Sequence, residues 1–186
     1  QRLFVVLFAG AMLHGAGGVP VAVDPQGYLW QVGSTASAFF VATPGVVQPK
    51  ITGESDVYLI RYNREGTAVE AATYLGGKLN DSVAAIAFDE SGNVYLRGMS
   101  ASEDFLGGTI LRPNGPSTGL PPSNPFLAKL DRDLRRVEYV FNLGVTNGTY
   151  YGLAAGADGS VFTMQVNCGV RGGFCSAEAY RVGPEG

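Results

Sequence analysis

The sequence predicts an all-β fold of tandem four-stranded antiparallel units, about three of them in the chain. Three observations predict it. The first is an internal repeat. The block Phe88-Asp-Glu-Ser-Gly-Asn-Val-Tyr95 recurs upstream as Val23-Asp-Pro-Gln-Gly-Tyr-Leu-Trp30, and in weakened form downstream as Ala155-Gly-Ala-Asp-Gly-Ser-Val-Phe162. Each copy reads apolar stretch, Gly-containing turn, apolar stretch, and the spacing is about 65 residues, the mark of a repeated supersecondary unit. The second is composition. Charged residues make up only 16% of the 186, against about a quarter in ordinary globular chains, and there are 27 Gly. Little charge, much Gly and many β-branched and aromatic residues suit short strands joined by tight turns. The third is the order of apolar runs and turns within each repeat.

The unit over about 82–144 is the best formed. Val83 to Phe88 is an apolar run of the kind a strand buried on both faces shows. Asp89 to Asn93 is a tight turn, Asn93 to Gly98 a second strand, and a Gly/Pro/Ser-rich loop follows to about 124. Phe126 to Leu130 is a third strand, Asp131 to Leu134 a turn, and Val137 to Phe141 a fourth. The unit over about 19–75 has the same order, with strands Val19 to Val23, Tyr28 to Val32, Val57 to Tyr62 and Ala68 to Leu75. The unit over about 150–186 supplies Leu153 to Ala155, Ser160 to Val166 and Ala177 to Val182, one strand short of four.

Residues 2–9 bear on that missing strand. Arg2 followed by the apolar run Leu3 to Leu13 has the length and composition of a signal-peptide core, and it is too short to span a bilayer as a helix. A competing reading lays Leu7-Phe-Ala-Gly10 on Thr73-Tyr-Leu-Gly76 and Phe141-Asn-Leu-Gly144. On that basis residues 2–9 are read as a fourth-type strand that completes the last unit, giving twelve strands in three units. Four antiparallel strands per tandem repeat describe the blade of a β-propeller. The whole of 1–186 is then one propeller-like repeat domain. Closed propellers usually carry about four to eight blades, so three imply a larger assembly, either a homo-oligomer or part of a longer propeller chain.

The residues at this point resemble a known family, the bacterial β-propeller repeats called SBBP repeats. The matching pieces are Thr43 to Pro49, Ser55 to Asn63, Gly66-Thr67, Thr73 to Gly77, Asp81-Ser82, Ile86 to Asp89, Gly92 to Tyr95, Gly98 and Ser102 to Phe105. The first and third units are degenerate, with Gly156 at the Asp89 position and Gln165 at the Gly98 position. The resemblance implies a propeller-like, exported bacterial protein at the cell surface or outside the cell. It supplies no common catalytic motif, and fold alone does not settle function.

Several functions are disfavoured by the residues themselves. Net charge is −3 and no basic stripe exists, which argues against nucleic acid. The only His is His14, in a Gly-rich connection, so a Ser-His-Asp arrangement lacks a base at a credible place. No metal and no cofactor are expected. Cys168 and Cys175 flank a short Gly-rich loop. A disulfide closing that loop is the preferred reading and suits an extracytoplasmic protein, the alternative being two reduced thiols.

What remains is a binding scaffold. In a blade, the turns after the first and third strands lie on one face, and the loops after the second and fourth lie on the other. The first class is short here, as in Asp24 to Gly27, Asn63 to Gly66 and Asp89 to Gly92. The second is long, at about 34–55, 99–124 and 167–176. Long loops on a rigid scaffold commonly carry binding. The candidate ligand contacts are Phe39, Phe40, Glu54, Glu103, Asp104 and Phe105, for a protein or glycan partner. For Phe39 and Phe105 the competing reading is that each tucks under its own loop. Two alternatives stand beside the binding module. One is a polysaccharide-acting propeller hydrolase or lyase using the acids at 54–56 and 103–104. The other is a structural subunit that polymerises through its edge strands. Asp56 and Asp81 are read as turn and loop hydrogen-bonding residues.

Overall fold

A computed structural model describes residues 21–39, 41–107, 124–143, 149–168 and 175–184. Its strands are β1 (Val21–Val23), β2 (Leu29–Thr35), β3 (Asp56–Tyr62), β4 (Val69–Leu75), β5 (Asp81–Phe88), β6 (Val94–Ser100), β7 (Asn124–Leu130), β8 (Val137–Asn142), β9 (Thr149–Ala155), β10 (Val161–Cys168) and β11 (Cys175–Val182). They form three antiparallel meanders, β1-β2-β3-β4, β5-β6-β7-β8 and β9-β10-β11. These are propeller-like blades. Eleven of the twelve expected strands are there in the expected order, and residues 2–9 lie outside the described residues. Among the described residues no helix is long and apolar enough to cross a membrane.

The repeated block makes the same turn each time. Gly27 N–H donates to Asp24 O (2.9 Å), Gly92 N–H to Asp89 O (2.9 Å) and Gly159 N–H to Gly156 O (3.0 Å). Each of these glycines has φ near +80°, which a side chain would strain. Asp24 and Asp89 also reach an aromatic six residues on. Trp30 Nε1–H donates to Asp24 Oδ2 (2.9 Å), and the Tyr95 hydroxyl lies 3.0 Å from Asp89 Oδ2. The third copy has Phe162 at that place, which has no donor. A buried carboxylate at position 156 would then lack its partner, and Gly stands there instead.

Side chains alternate between the two faces of each sheet. On the face of the first sheet that looks toward the second, its forward face, lie Trp30, Val32, Val57 and Leu59. They meet Val94, Leu96, Phe126, Ala128 and Leu130 on the back of the second sheet in one continuous core. Phe88 on β5 stacks on Trp30, centroids 5.2 Å apart. The forward face of the second sheet, with Tyr95 and Leu127, meets Val161 and Ala155 of the third. Leu134 is fully buried in the first seam although its φ is +57°, a strained conformation for Leu at about 1 kcal/mol or more. It holds the position that Gly66 holds in the corresponding turn of the first sheet, and core burial offsets its strain.

A cation crosses each seam. Arg61, opposite Trp30 on β3, lies over the Tyr28 and Trp30 rings (5.1 and 5.8 Å). It donates to Arg132 O (2.6 Å) and meets Asp133 (3.3 Å) in the β7–β8 turn of the next sheet. Lys129, opposite Tyr95 on β7, repeats the device. It lies over Tyr95 (5.6 Å) and donates to Pro184 O (3.1 Å) past the end of β11. An acid on the fourth strand anchors each cation, Glu70 to Arg61 at 3.6 Å and Glu138 to Lys129 at 2.9 Å.

Burial opposes ionisation of Glu138, but the hydrogen bonds from Lys129 and Arg136 outweigh it and hold its pKa below the ordinary value. A carboxylate with a depressed folded pKa stabilises the fold above its unfolded pKa, about 4.3 for Glu, and loses that effect as pH falls through its folded value. Glu138→Gln should therefore cost about 1.5–3 kcal/mol at neutral pH. Thermal melts of the two proteins should converge as pH falls below about 4. A constant difference across that range would deny the ion pair its role.

Candidate functional site

The loop after β2, the β4–β5 connection and the residues just after β6 gather on one side of the molecule. Two aspartates organise them from below. Asp56 opens β3 and is fully buried. Its carboxylate accepts from Gln48 Nε2 (2.7 Å), Thr52 N (2.9 Å) and Gly53 N (3.2 Å), which fastens the 48–53 loop. Asp81 opens β5 and is also buried. It accepts from Gly77 N (2.8 Å) and from the Ser100 and Ser102 hydroxyls. Desolvation pushes the Asp81 pKa up against the pull of those donors.

The connection between them is Gly76-Gly77. A Cβ on Gly76 would stand 2.4 Å from the Asp56 carboxylate, and one on Gly77 would stand 2.5 Å from Ser102 Cβ. Two glycines let the β4–β5 connection press against both acids. Further links are Gly76 N–H to Gln48 Oε1 (2.9 Å), Leu79 N–H to Ser102 Oγ (2.9 Å) and Lys78 N–H to Asp104 Oδ1 (3.0 Å). The Lys78 amide, ahead of its ammonium 3.4 Å away, holds the Asp104 carboxyl below the usual range.

Above this network lies a cleft of about 1040 Å³. Gln48 and Thr52 form one wall, Gly76 to Leu79 the floor, and Glu103, Asp104 and Leu106 the other wall. The cleft is open and mixed in character. Lys78 and Glu103 are exposed in it, and Leu79 shows 37% of its surface.

A family model described as a β-propeller repeat, SBBP, matches residues 72–105. The chain carries an SBBP β-propeller repeat. The match starts in β4, runs through Gly76-Gly77, Asp81 and the Asp89 turn, and ends at Phe105. It thus spans the seam between two sheets and includes much of the cleft. A comparison with curated proteins finds no match.

This geometry places the sequence-derived candidates unequally. Glu103 and Asp104 line the cleft. Glu54 is exposed beside it and accepts from Asn80 Nδ2 (2.7 Å). Phe39 projects into solvent after β2, 86% exposed, and does not tuck under its loop. Phe40 lies outside the described residues. Phe105 is corrected from ligand contact to core residue. It is fully buried and stacks on Phe126 with centroids 4.6 Å apart, because the turn Phe105–Gly107 folds back over the end of the seam. The 167–176 loop shortens, since β10 runs to Cys168 and β11 starts at Cys175. The register sets those two residues opposite each other. His14 lies outside the described residues. Among the described residues no three His, Cys, Asp or Glu side chains come together as a metal site would require.

Sequence reasoning missed Gln48, Thr52, Lys78, Ser100 and Ser102 as parts of this face. The available signal was Ser100-Ala-Ser102 after a strand whose neighbour opens on Asp81. Short hydroxyl side chains flanking a strand end are the donors that a buried carboxylate needs.

Proposed function

We propose that this SBBP repeat chain is a non-catalytic binding scaffold that takes a protein or glycan ligand in the cleft over Asp56 and Asp81. The observation that supports this most is the division of labour among the acids. Asp56 and Asp81 are buried and saturated with internal donors, so they shape the loops. Glu103 and Lys78 stand exposed at the cleft, where they are available to a ligand. Glu54 and Asp104, the acids that a hydrolase or lyase would draw on, are held by Asn80 and Lys78. Such a cleft suits hydroxyl-rich or peptide ligands, with Leu79 as an apolar contact.

The chain is proposed to work outside the cytoplasm, at the cell surface or beyond. The facing Cys168 and Cys175, with Cys175 disulfide-bonded, support a Cys168–Cys175 bridge clamping the β10–β11 hairpin.

The test is binding to a glycan and protein panel, followed by titration of the best ligand against Lys78→Ala, Glu103→Gln and Phe39→Ala. All three side chains reach solvent, so the fold should survive. The reading expects the first two to weaken binding by about tenfold each, the effect of one lost charged hydrogen bond. Undiminished binding in both would remove the cleft as the site. Turnover of any panel member would replace the scaffold with an enzyme.

A further inference from the structure

The loop that leaves β2 carries an apolar tip. Residues 25–49 contain no Asp, Glu, Lys, Arg or His. Every described residue that is exposed between Thr35 and Val46 lacks a polar side-chain atom: Ala36, Ala38, Phe39, Val41, Pro44 and Gly45. Phe39 is 86% exposed and Val41 72%. A single exposed apolar side chain is ordinary on a protein surface. A protruding pair with only Ala, Pro and Gly exposed around it is a contact surface.

The polar groups of the same loop are turned inward. Ser37 N–H donates to Thr35 Oγ1 (3.0 Å), and Phe39 N–H donates to Ser37 Oγ (3.2 Å). The Tyr74 hydroxyl donates to Ser37 O (2.9 Å) and pins one end of the tip to β4. Thr43 N–H donates to Ala72 O (2.9 Å), and Thr43 Oγ1 accepts from Ala72 N–H (3.0 Å), which pins the other end. The loop hydroxyls thus serve backbone groups, and two points on β4 hold the tip outward.

This arrangement selects the kind of partner. Protein interfaces carry about one hydrogen bond per 100–200 Å², and the exposed side chains of the tip offer no group to make one. An acyl-chain environment asks for none. It penalises open backbone donors, and those at Ser37, Phe39 and Thr43 are closed internally. With no Lys or Arg in 25–49 and a net charge of −3, the loop has no attraction to anionic headgroups.

We propose that the tip at Phe39 and Val41 enters the interface of a neutral, zwitterionic lipid surface. Two side chains bury little area, so attachment is weak and reversible, below the roughly 10⁴ M⁻¹ that one acyl chain provides. Thr35, where the loop starts, pairs with Asp56 at the start of β3. Lipid contact therefore turns the end of the molecule that carries the cleft toward the membrane. The contact does not depend on the cleft being a binding site.

The experiment is flotation of the whole chain with phosphatidylcholine vesicles at up to about 10 mM lipid. The wild type should float with them equally at about 50 and about 500 mM salt, and adding phosphatidylserine should bring no gain. Phe39→Asp and Val41→Asp should each lower the partition coefficient about tenfold or more. Both side chains are exposed, so circular dichroism melts of these variants should match the wild type. Phe39→Trp should keep binding and shift its emission to the blue on vesicles, against the fully buried Trp30 as a constant background. Titration of a soluble cleft ligand should be indifferent to Phe39→Asp, so failure here and failure of the cleft are separate results. A wild type that ignores phosphatidylcholine would overturn the proposal, whether or not Phe39 captures another protein. So would flotation untouched by Phe39→Asp, or flotation confined to anionic vesicles and lost in salt.

Discussion

Phe105→Ala is expected to destabilise the fold by about 3–5 kcal/mol, the range for truncating a buried aromatic. Phe105 is fully buried, stacks on Phe126 and closes the end of the first seam. Truncation leaves a cavity that strands on both sides are too constrained to fill. The melting temperature should fall by roughly 10 °C. Phe105→Leu restores most of the volume and should cost about 1.5 kcal/mol or less. Leu106 N–H donates to Gly76 O (3.4 Å), so the same turn ties one cleft wall to the floor. Any effect of Phe105→Ala on ligand binding should therefore track unfolding and vanish at low temperature. Persistent loss of affinity in a fully folded variant would put Phe105 back in contact with the ligand.

Asp81→Ala should cost about 3 kcal/mol, because it strands buried donors worth about 1–3 kcal/mol each. The Gly77 N–H is fixed by the backbone and points at Asp81, while the two serine hydroxyls can turn. Asp81→Asn keeps an acceptor and removes a charge that burial disfavours, so it should cost about 1 kcal/mol. The pH dependence separates the two effects. The folded Asp81 pKa is raised, so its protonated form is the one the fold favours. Its contribution is fully present below its unfolded pKa, about 3.9, and is lost as pH rises through the folded value. The stability gap between wild type and Asp81→Asn should be widest in acid and narrow toward neutrality. Chemical denaturation at a series of pH values measures it. A gap that widens with pH would mean that the surrounding donors, and not burial, dominate.

The strands were legible because alternation and turn chemistry act locally. Val83 to Phe88, the Gly92 turn and Val94 to Gly98 each announce themselves within a few residues. The seams were legible only in outline. That Trp30, Tyr95 and Phe162 share a position follows from the repeat, but the cation opposite each depends on cross-strand register, which no local pattern states. Leu134 at the Gly66 position shows the same limit. The turn was expected, but that Leu takes the left-handed position held by Gly66 in the corresponding turn depends on its burial in the core. In the cleft, exposed acids were found by composition of the loops. Phe105 was misplaced because a loop aromatic reads alike whether it faces solvent or folds back under the turn. Only the contact with Phe126, twenty-one residues away in sequence, distinguishes the two.

The central claim is that ligands are held on the face built over Asp56 and Asp81. The most direct measurement is amide chemical-shift mapping by NMR during titration with the best panel ligand. The account predicts shifts concentrated at residues 48–54, 76–80 and 102–106. Shifts confined to the opposite face, at 24–28, 63–67 and 89–93, would contradict it.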